Sequence, residues 1–334
     1  MTTALVLGKF LPPHAGHRYL AERARTMADE VVVALLANSR EEIPVGLRHA
    51  WLAEMLPWAD VRSGTADHRV DYGDPAAYDR WAATIREVTG RDRFDLLLTS
   101  EPAYGDETAV RLGARHVLVD PDRVAVPISA TAIRANPWAH WEHLSPAVRA
   151  YYARRIRLLG AESTGTTTMT RLLAERFGTS WVAEYGRAFS VPKDASGEAW
   201  TTEEFVHIAV RQQELEDEAA READRILFCD TDALATALWH EHYLGGPAPE
   251  VEAIARGRSY DLTFLTAEDF PWVQDGTRDS DASRQRMQRR FEVELAGATE
   301  PVIQLRGSID QRLETATAAI EQRLGLRPRN HEGG

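Results

Sequence analysis

The 334-residue chain contains a single cysteine, Cys229, and only two lysines, Lys9 and Lys193, among its 39 basic residues. One cysteine cannot close an internal disulfide, which excludes a disulfide-stapled scaffold and fits a reducing compartment. Long hydrophobic runs are missing too. The apolar stretch near the start, Val31 to Ala37, is far shorter than the roughly 20 residues that carry a helix across a bilayer. Met1-Thr2-Thr3 leads straight into Ala4-Leu5-Val6-Leu7, without the basic flank and cleavage site of a secretory signal. A cytoplasmic protein with no membrane partner is expected. Positive charge is also scarce: the formal net charge is −12. Residues 1–154 carry 18 basic and 20 acidic side chains, and residues 155–334 carry 21 and 31. Neither half offers the basic face that a nucleic-acid partner needs, so phosphate must be held by local, shaped sites. Where arginine is so dominant, a lysine missing from a motif carries weight.

The length exceeds what one hydrophobic core usually organises, so two domains are expected. Short apolar, β-branched runs alternate with helix-length amphipathic segments, the pattern of an α/β fold with parallel sheets covered on both faces. Strands are expected at Ala4–Phe10, Glu30–Leu36, Phe94–Thr99 and His116–Val119, then at Ile156–Leu159, Arg225–Cys229, Asp261–Leu265 and Val302–Leu305. The stripe Tyr78, Trp81, Ile85 and Val88 predicts a helix between them. Trp138 to Tyr152 reads as a helical connection into the second half, which puts the boundary near residue 154. The expected division is 1–154 and 155–325, each Rossmann-like, with a polar, Gly-rich tail at 326–334 expected to be disordered. Oligomeric state is left open, a homo-oligomer included.

In the first half, Gly8-Lys9-Phe10-Leu11-Pro12-Pro13-His14-Ala15-Gly16-His17 follows a hydrophobic strand and precedes a helix. The paired prolines force an extended loop. His14 and His17, three apart at a helix start, share a side. A helix N-terminus attracts phosphate through its free N–H groups, and Gly16 lets backbone approach closely. This string resembles the signature of nucleotidyltransferases with the H-x-G-H motif. A second string, Ile128-Ser129-Ala130-Thr131-Ala132-Ile133-Arg134, is similar to that superfamily's I-S-x-T-x-x-R motif. Ser129 is placed to cap a helix, Thr131 to face an anion, and Arg134 to fork two phosphate oxygens. His14, His17, Lys9 and Arg134 are the expected catalytic donors, with Gly8, Phe10, Gly16, Ser129 and Thr131 around the nucleotide. In adenylyl transfer the attacking phosphate oxygen is already ionised. Catalysis there is alignment and charge stabilisation, which suits these donors, with Mg²⁺ expected on the triphosphate.

The second half opens with Gly160-Ala161-Glu162-Ser163-Thr164-Gly165-Thr166-Thr167-Thr168 after a strand, at the spacing of the phosphate-binding loop GxxxxGK[ST]. Thr167 stands at the Mg²⁺-binding hydroxyl. The lysine position holds Thr166, so the cation that normally sits on the β- and γ-phosphates is missing. Arg278, the run Arg284, Arg286, Arg289 and Arg290, or Lys193 in a polar loop are the candidates to supply that charge. For the arginine run a solvated helix face is the plainer reading. Asp230 and Asp232 end an apolar strand, where an acidic residue positions Mg²⁺ or a substrate hydroxyl.

Several further strings resemble the bifunctional NadR family, from Leu7 to about Leu324. They are Ile43-Pro44-Val45-Gly46-Leu47-Arg48, Ser100-Glu101-Pro102 with Tyr104-Gly105, His140-Trp141-Glu142, Glu184-Tyr185-Gly186-Arg187, and Pro271-Trp272-Val273-Gln274-Asp275-Gly276-Thr277-Arg278. That family joins a nicotinamide-nucleotide adenylyltransferase to a ribosylnicotinamide kinase. The resemblance implies ATP, nicotinamide mononucleotide, NAD and other small nucleotides as ligands. It implies Glu184, Arg187, Asp230, Asp232, Trp272, Asp275 and Arg278 on the kinase side, with Trp272 available to stack on a nicotinamide ring. No helix-turn-helix precedes Met1, so the DNA-binding role of some relatives is not expected. Two alternatives remain: a P-loop domain that binds without efficient transfer, and a transferase acting on another phosphate such as those of pantetheine or choline.

Overall fold

The computed structural model describes residues 1–67, 74–269 and 281–328. The chain forms two compact units, Met1–Val148 and Arg149–Gly334. The division falls within α6 (Pro146–Tyr152), six residues before the expected boundary.

The first unit is a parallel five-stranded sheet of β1 (Thr3–Gly8), β2 (Glu30–Ala37), β3 (Asp60–Thr65), β4 (Leu96–Thr99) and β5 (Arg115–Leu118), in the order β3-β2-β1-β4-β5. Its helices are α1 (Ala15–Arg25), α2 (Val45–Met55), α3 (Pro75–Thr89), α4 (Pro102–Leu112) and α5 (Ala130–Ala135). Leu5 lies opposite Val32 and Leu97 in the central register. Side chains alternate across β1. Ala4 and Val6 pack with Leu20, Ala21 and Ala24 on one face, while Leu5 and Leu7 pack with Ala82, Ile85 and Leu112 on the other. Burial on both faces is why these strands read as unbroken apolar runs rather than alternating ones. The helix expected from the Tyr78 stripe is α3, started by the Asp74 carboxylate accepting from the Ala76 N–H at 2.9 Å.

One strand was missed and two expectations are corrected. β3 gave no signal, because this edge strand is polar and half-exposed. β1 stops at Gly8 rather than Phe10, where the backbone turns to φ +47. The stretch from Trp138 is not one helix but a 3₁₀ turn (Pro137–His143) and then α6, broken where Pro146 disfavours helix in the residues before it.

The second unit has β6 (Arg154–Leu159), β7 (Trp181–Val182), β8 (Ile226–Asp230), β9 (Leu262–Thr266) and β10 (Val302–Leu305), parallel and ordered β10-β9-β6-β8-β7. Around it lie α7 (Thr166–Phe177), α8 (Tyr185–Ser196), α9 (Thr202–Ala220), α10 (Ala233–Leu244), α11 (Pro249–Arg256), α12 (Asp281–Leu295) and α13 (Ile309–Leu324). The two sheets establish the α/β class expected from the alternation.

In the middle of β6, buried Arg157 forms ion pairs with Asp232 and Glu300 and donates to Thr263 Oγ1 at 2.8 Å. Such a buried set is costly to break, because removing one partner strands another charge away from water. Asp232 also caps α10, accepting from the Ala235 N–H at 3.0 Å. Its expected substrate role is therefore corrected to a structural one. Leu326, expected in a disordered tail, is buried, while 329–334 lie outside the described residues. Among the described residues no helix is long and apolar enough to cross a membrane.

Candidate active sites

In the first unit the strand order reverses between β1 and β4, and a crevice opens beyond their carboxyl ends, as such sheets provide. The loop after β1 delivers His14 to the N-cap of α1, where its Nδ1 accepts from the Gly16 N–H at 3.1 Å. That bond puts the proton of the neutral ring on Nε2, leaving one N–H to donate. A Cβ on Gly16 would sit 3.0 Å from the His14 ring, so glycine is what lets the imidazole cap the helix. The His14 and His17 rings stack with centroids 3.8 Å apart, and the Phe10 ring meets His17 edge-on at 4.8 Å.

Burial, then Arg123 and His143, push His14 down to about 4; burial, then His14 and Arg123, push His17 well below the usual imidazole range. Both are neutral N–H donors near pH 7, not standing cations. The positive charge comes from Arg123, which sequence reasoning missed. It lines a cavity of about 140 Å³ with His14, His17, Glu101, Ser129 and Thr131. Its loop is held in an uncommon shape, with φ +49 at Asp120 and +52 at Arg123. The Asp120 carboxylate fixes it by accepting from the N–H groups of Val124, Ala125 and Val126 at 2.8–3.3 Å. The Asp120-Pro121-Asp122-Arg123 turn residues were a readable signal for such a loop.

The second string meets the first. Ser129 Oγ caps α5 by accepting from the Ala132 N–H at 3.1 Å. Arg134 donates to the Leu11 carbonyl at 2.5 Å and to Thr131 Oγ1 at 3.3 Å, tying α5 to the H-x-G-H loop. Lys9 and Arg134 do not line the cavity: Lys9 sits on the loop after β1, and Arg134 sits on α5, which it ties to that loop. Lys9 pairs with Glu41 at 3.0 Å, and buried Arg48 joins that carboxylate and the Lys9 carbonyl, each at 2.8 Å. The Phe10 side chain belongs to the core cluster and does not line the cavity.

In the second unit, Gly160 to Thr167 forms a loop from β6 into α7, with φ +64 at Ser163 and +90 at Gly165, the cap residue. Only glycine takes the latter conformation without strain. Glu162, Ser163, Thr166 and Thr167 line a cavity of about 680 Å³. Thr164 instead braces the loop, donating to the Ala161 carbonyl at 2.7 Å and sharing a hydrogen bond with Thr266 Oγ1 at 2.6 Å, and Thr168 faces away on α7. Two residues clamp the loop from outside it. Fully buried Arg312 donates to the Thr164 carbonyl at 2.6 Å, and Gln288 accepts from the Ala161 N–H at 3.0 Å. Neither has a signal in sequence, since each works through backbone groups far along the chain.

Thr167 Oγ1 donates to Asp230 Oδ2 at 2.6 Å at the end of β8. Asp230 Oδ1 is buried and accepts no hydrogen bond of normal geometry. Burial raises the Asp230 carboxyl, opposed by the hydroxyls of Thr167 and Thr166. Burial, then the Asp230 charge, lifts Glu184 to about 7, and Arg187 works against them. Glu184 and Arg187 line the same cavity. Its far end is aromatic: Trp200 and Trp239 flank Tyr243 in near-parallel stacks at 5.7 and 5.9 Å, with Phe205 and Ile208 beside them. Trp239 and Tyr243, four apart on α10, share a face, which was the readable sign of this wall.

Lys193 is not in a loop. It lies on α8, buried, paired with Glu204 at 2.7 Å. Of the arginine run, Arg284 is buried and Arg290 pairs with Glu241 at 2.7 Å, while Arg286 and Arg289 are exposed. None lines the cavity. Trp272, Asp275 and Arg278 lie outside the described residues.

A family model described as an AAA domain matches residues 155–312. The trifunctional NAD biosynthesis/regulator protein NadR of Escherichia coli is 31% identical over 300 residues, covering 84% of this chain and 73% of that protein. The protein of the same name from Salmonella typhimurium is 30% identical over 295 residues, covering 84% and 72%. Among solved structures, a NadR protein in complex with NR superposes with TM-score 0.80 at 21% identity, covering 99% of this chain and 98% of that one. A NadR protein in complex with NAD and AMP-PNP gives 0.74 at 21% identity, with the same coverage. At that identity both speak for the fold.

Proposed function

Since the chain belongs to the NadR family, we propose that it is a two-site enzyme of NAD biosynthesis. The first unit transfers the adenylyl group of ATP to nicotinamide mononucleotide; the second phosphorylates ribosylnicotinamide to that mononucleotide. The observation that carries the first activity is the meeting of the His14–His17 and Ser129–Arg134 strings at one small cavity with Arg123 in its wall. A phosphate oxygen of the mononucleotide attacks the α-phosphorus, the α–β bridge breaks, and pyrophosphate leaves. No base is needed. The imidazole N–H groups and Arg123 donate to oxygens on which charge builds. Supplying ATP and nicotinamide mononucleotide to the full chain and reading NAD and pyrophosphate tests this, and pyrophosphate without NAD contradicts the choice of acceptor.

The kinase activity is supported by a cavity with two unlike ends, a phosphate loop with Glu184 and Arg187 at one and an aromatic wall at the other. A nucleoside has the same two ends. The ribose hydroxyl attacks the γ-phosphorus, the β–γ bridge breaks to release ADP, and the hydroxyl proton passes to Glu184. Thr167 and Asp230, whose Oδ1 accepts no hydrogen bond of normal geometry among the described residues, fit a Mg²⁺ held mainly by nucleotide phosphates. Such an ion supplies positive charge to the triphosphate.

With a carboxyl raised to about 7, the base form is lost as pH falls. Phosphorylation is expected to climb with pH through about 7, and Glu184→Gln to flatten that limb. A wild-type profile already flat between pH 5.5 and 7.5 removes Glu184 from the role. Trp239→Ala is expected to weaken ribosylnicotinamide binding by about 1–3 kcal/mol, as loss of a stacking face does, with ATP binding nearly unchanged. Calorimetry with each ligand reads it, and equal losses would mean a collapsed α9–α10 wall instead.

A second reading, a P-loop unit that binds without transferring phosphate, is favoured by one observation, Thr166 at the lysine position.

A further inference from the structure

Gln212 on α9 is 1% exposed and lines the large cavity of the second unit. Its Oε1 accepts from the Tyr185 N–H at 2.9 Å, at the start of α8. That bond settles which end of the amide is which, because a backbone donor can only face the oxygen. The Nε2 group is thereby turned to the other side, buried and without a hydrogen-bond partner among the described residues. A buried amide donor left unmet costs free energy, and a cavity that keeps one implies a ligand that meets it. Phe205, Ile208 and Gln212 follow one another on the same helix face at spacings of three and four and all line the cavity, so the Gln212 side chain is a neighbour of the aromatic wall. A ring stacked on that wall presents its in-plane substituents to such a neighbour.

We infer that Gln212 is a specificity-determining residue, whose Nε2 donates to an oxygen substituent on the planar ring of the acceptor. This rests on the kinase reading above and extends it to the choice of substrate. The site then takes pyridine nucleosides that carry a carbonyl oxygen, amide or acid alike. It discriminates against rings that offer an amino group at this position, since two donors would face each other, and against rings with no substituent, since the amide then stays unmet.

The test compares ribosylnicotinamide with the pyridine riboside lacking the carboxamide, using the full chain and reading kcat and KM for phosphorylation. The wild type is expected to favour ribosylnicotinamide by about tenfold to a hundredfold in kcat/KM, carried by KM. Gln212→Leu removes the donor, and Gln212→Glu removes it while keeping an oxygen for the Tyr185 N–H. In both, discrimination is expected to fall to within about threefold. Thermal unfolding of the full chain reports that each variant is folded. Equal losses on both ribosides, or discrimination unchanged in Gln212→Glu, would overturn the assignment while leaving the kinase reading intact. If the wild type phosphorylates neither riboside, the kinase reading fails, and direct binding decides the assignment. Tryptophan quenching by ribosylnicotinamide but not by the pyridine riboside, lost in Gln212→Glu, supports it; quenching by both alike overturns it.

Discussion

His17→Ala lowers the turnover of NAD formation from ATP and nicotinamide mononucleotide by about 10²-fold or more, the scale of losing a preorganised transition-state donor. The expectation rests on where the ring sits. His17 is half-buried, stacked on His14 and edged by Phe10, so it is held in one orientation before any ligand arrives. Its Nδ1 has no hydrogen-bond partner among the described residues, and burial, then His14 and Arg123, hold it neutral. An uncharged imidazole here does not compete with Arg123 for the ground-state phosphates, but donates as negative charge grows on the oxygens leaving the α-phosphorus. Steady-state rates with intact thermal unfolding read the effect. A fall under threefold would show that the motif does not carry the chemistry.

Arg187→Ala is expected to lower phosphorylation of ribosylnicotinamide by about 10²-fold or more, and Thr166→Lys in the same chain to restore much of it. The phosphate loop keeps its N–H groups but has no lysine, so some other cation must face the transferring phosphate. Lys193 is held by Glu204, Arg312 is spent on loop carbonyls, and the arginines of α12 do not line the cavity. Among the described residues lining it, Arg187 is the one arginine or lysine, beside Glu184 and Asp230. Rescue by a lysine at the usual position separates this role from general damage to α8. Full activity in Arg187→Ala, with Arg278→Ala inactive, would move the role to Arg278.

Much of this layout was legible in sequence because it depends on local rules. Buried parallel strands such as Glu30–Ala37 announce themselves as apolar runs, and α3 is bounded by Asp74 and Gly90 at its caps. The two nucleotide loops follow strands at fixed spacing, so His14, His17, Glu162 and Thr167 could be named from the chain alone. What escaped depends on distant partners. Asp232 looked like a ligand because a charge at a strand end needs a task; the task is Arg157, 75 residues away. Arg123 was hidden in an irregular loop held by Asp120. The aromatic wall combines α10 with Trp200, just before α9, so no single window of sequence contains it. Lys193 looked free because its partner, Glu204, lies beyond a helix end.

The most direct test of the two-site account supplies the full chain with ribosylnicotinamide and ATP labelled separately at the α- and γ-phosphorus. The account predicts a mononucleotide carrying the γ-label that rises first and then gives way to NAD carrying both labels, with ADP and pyrophosphate released. Labelled NAD that forms only when the mononucleotide is supplied would contradict it, leaving the first unit as the enzyme and the second as a binding module.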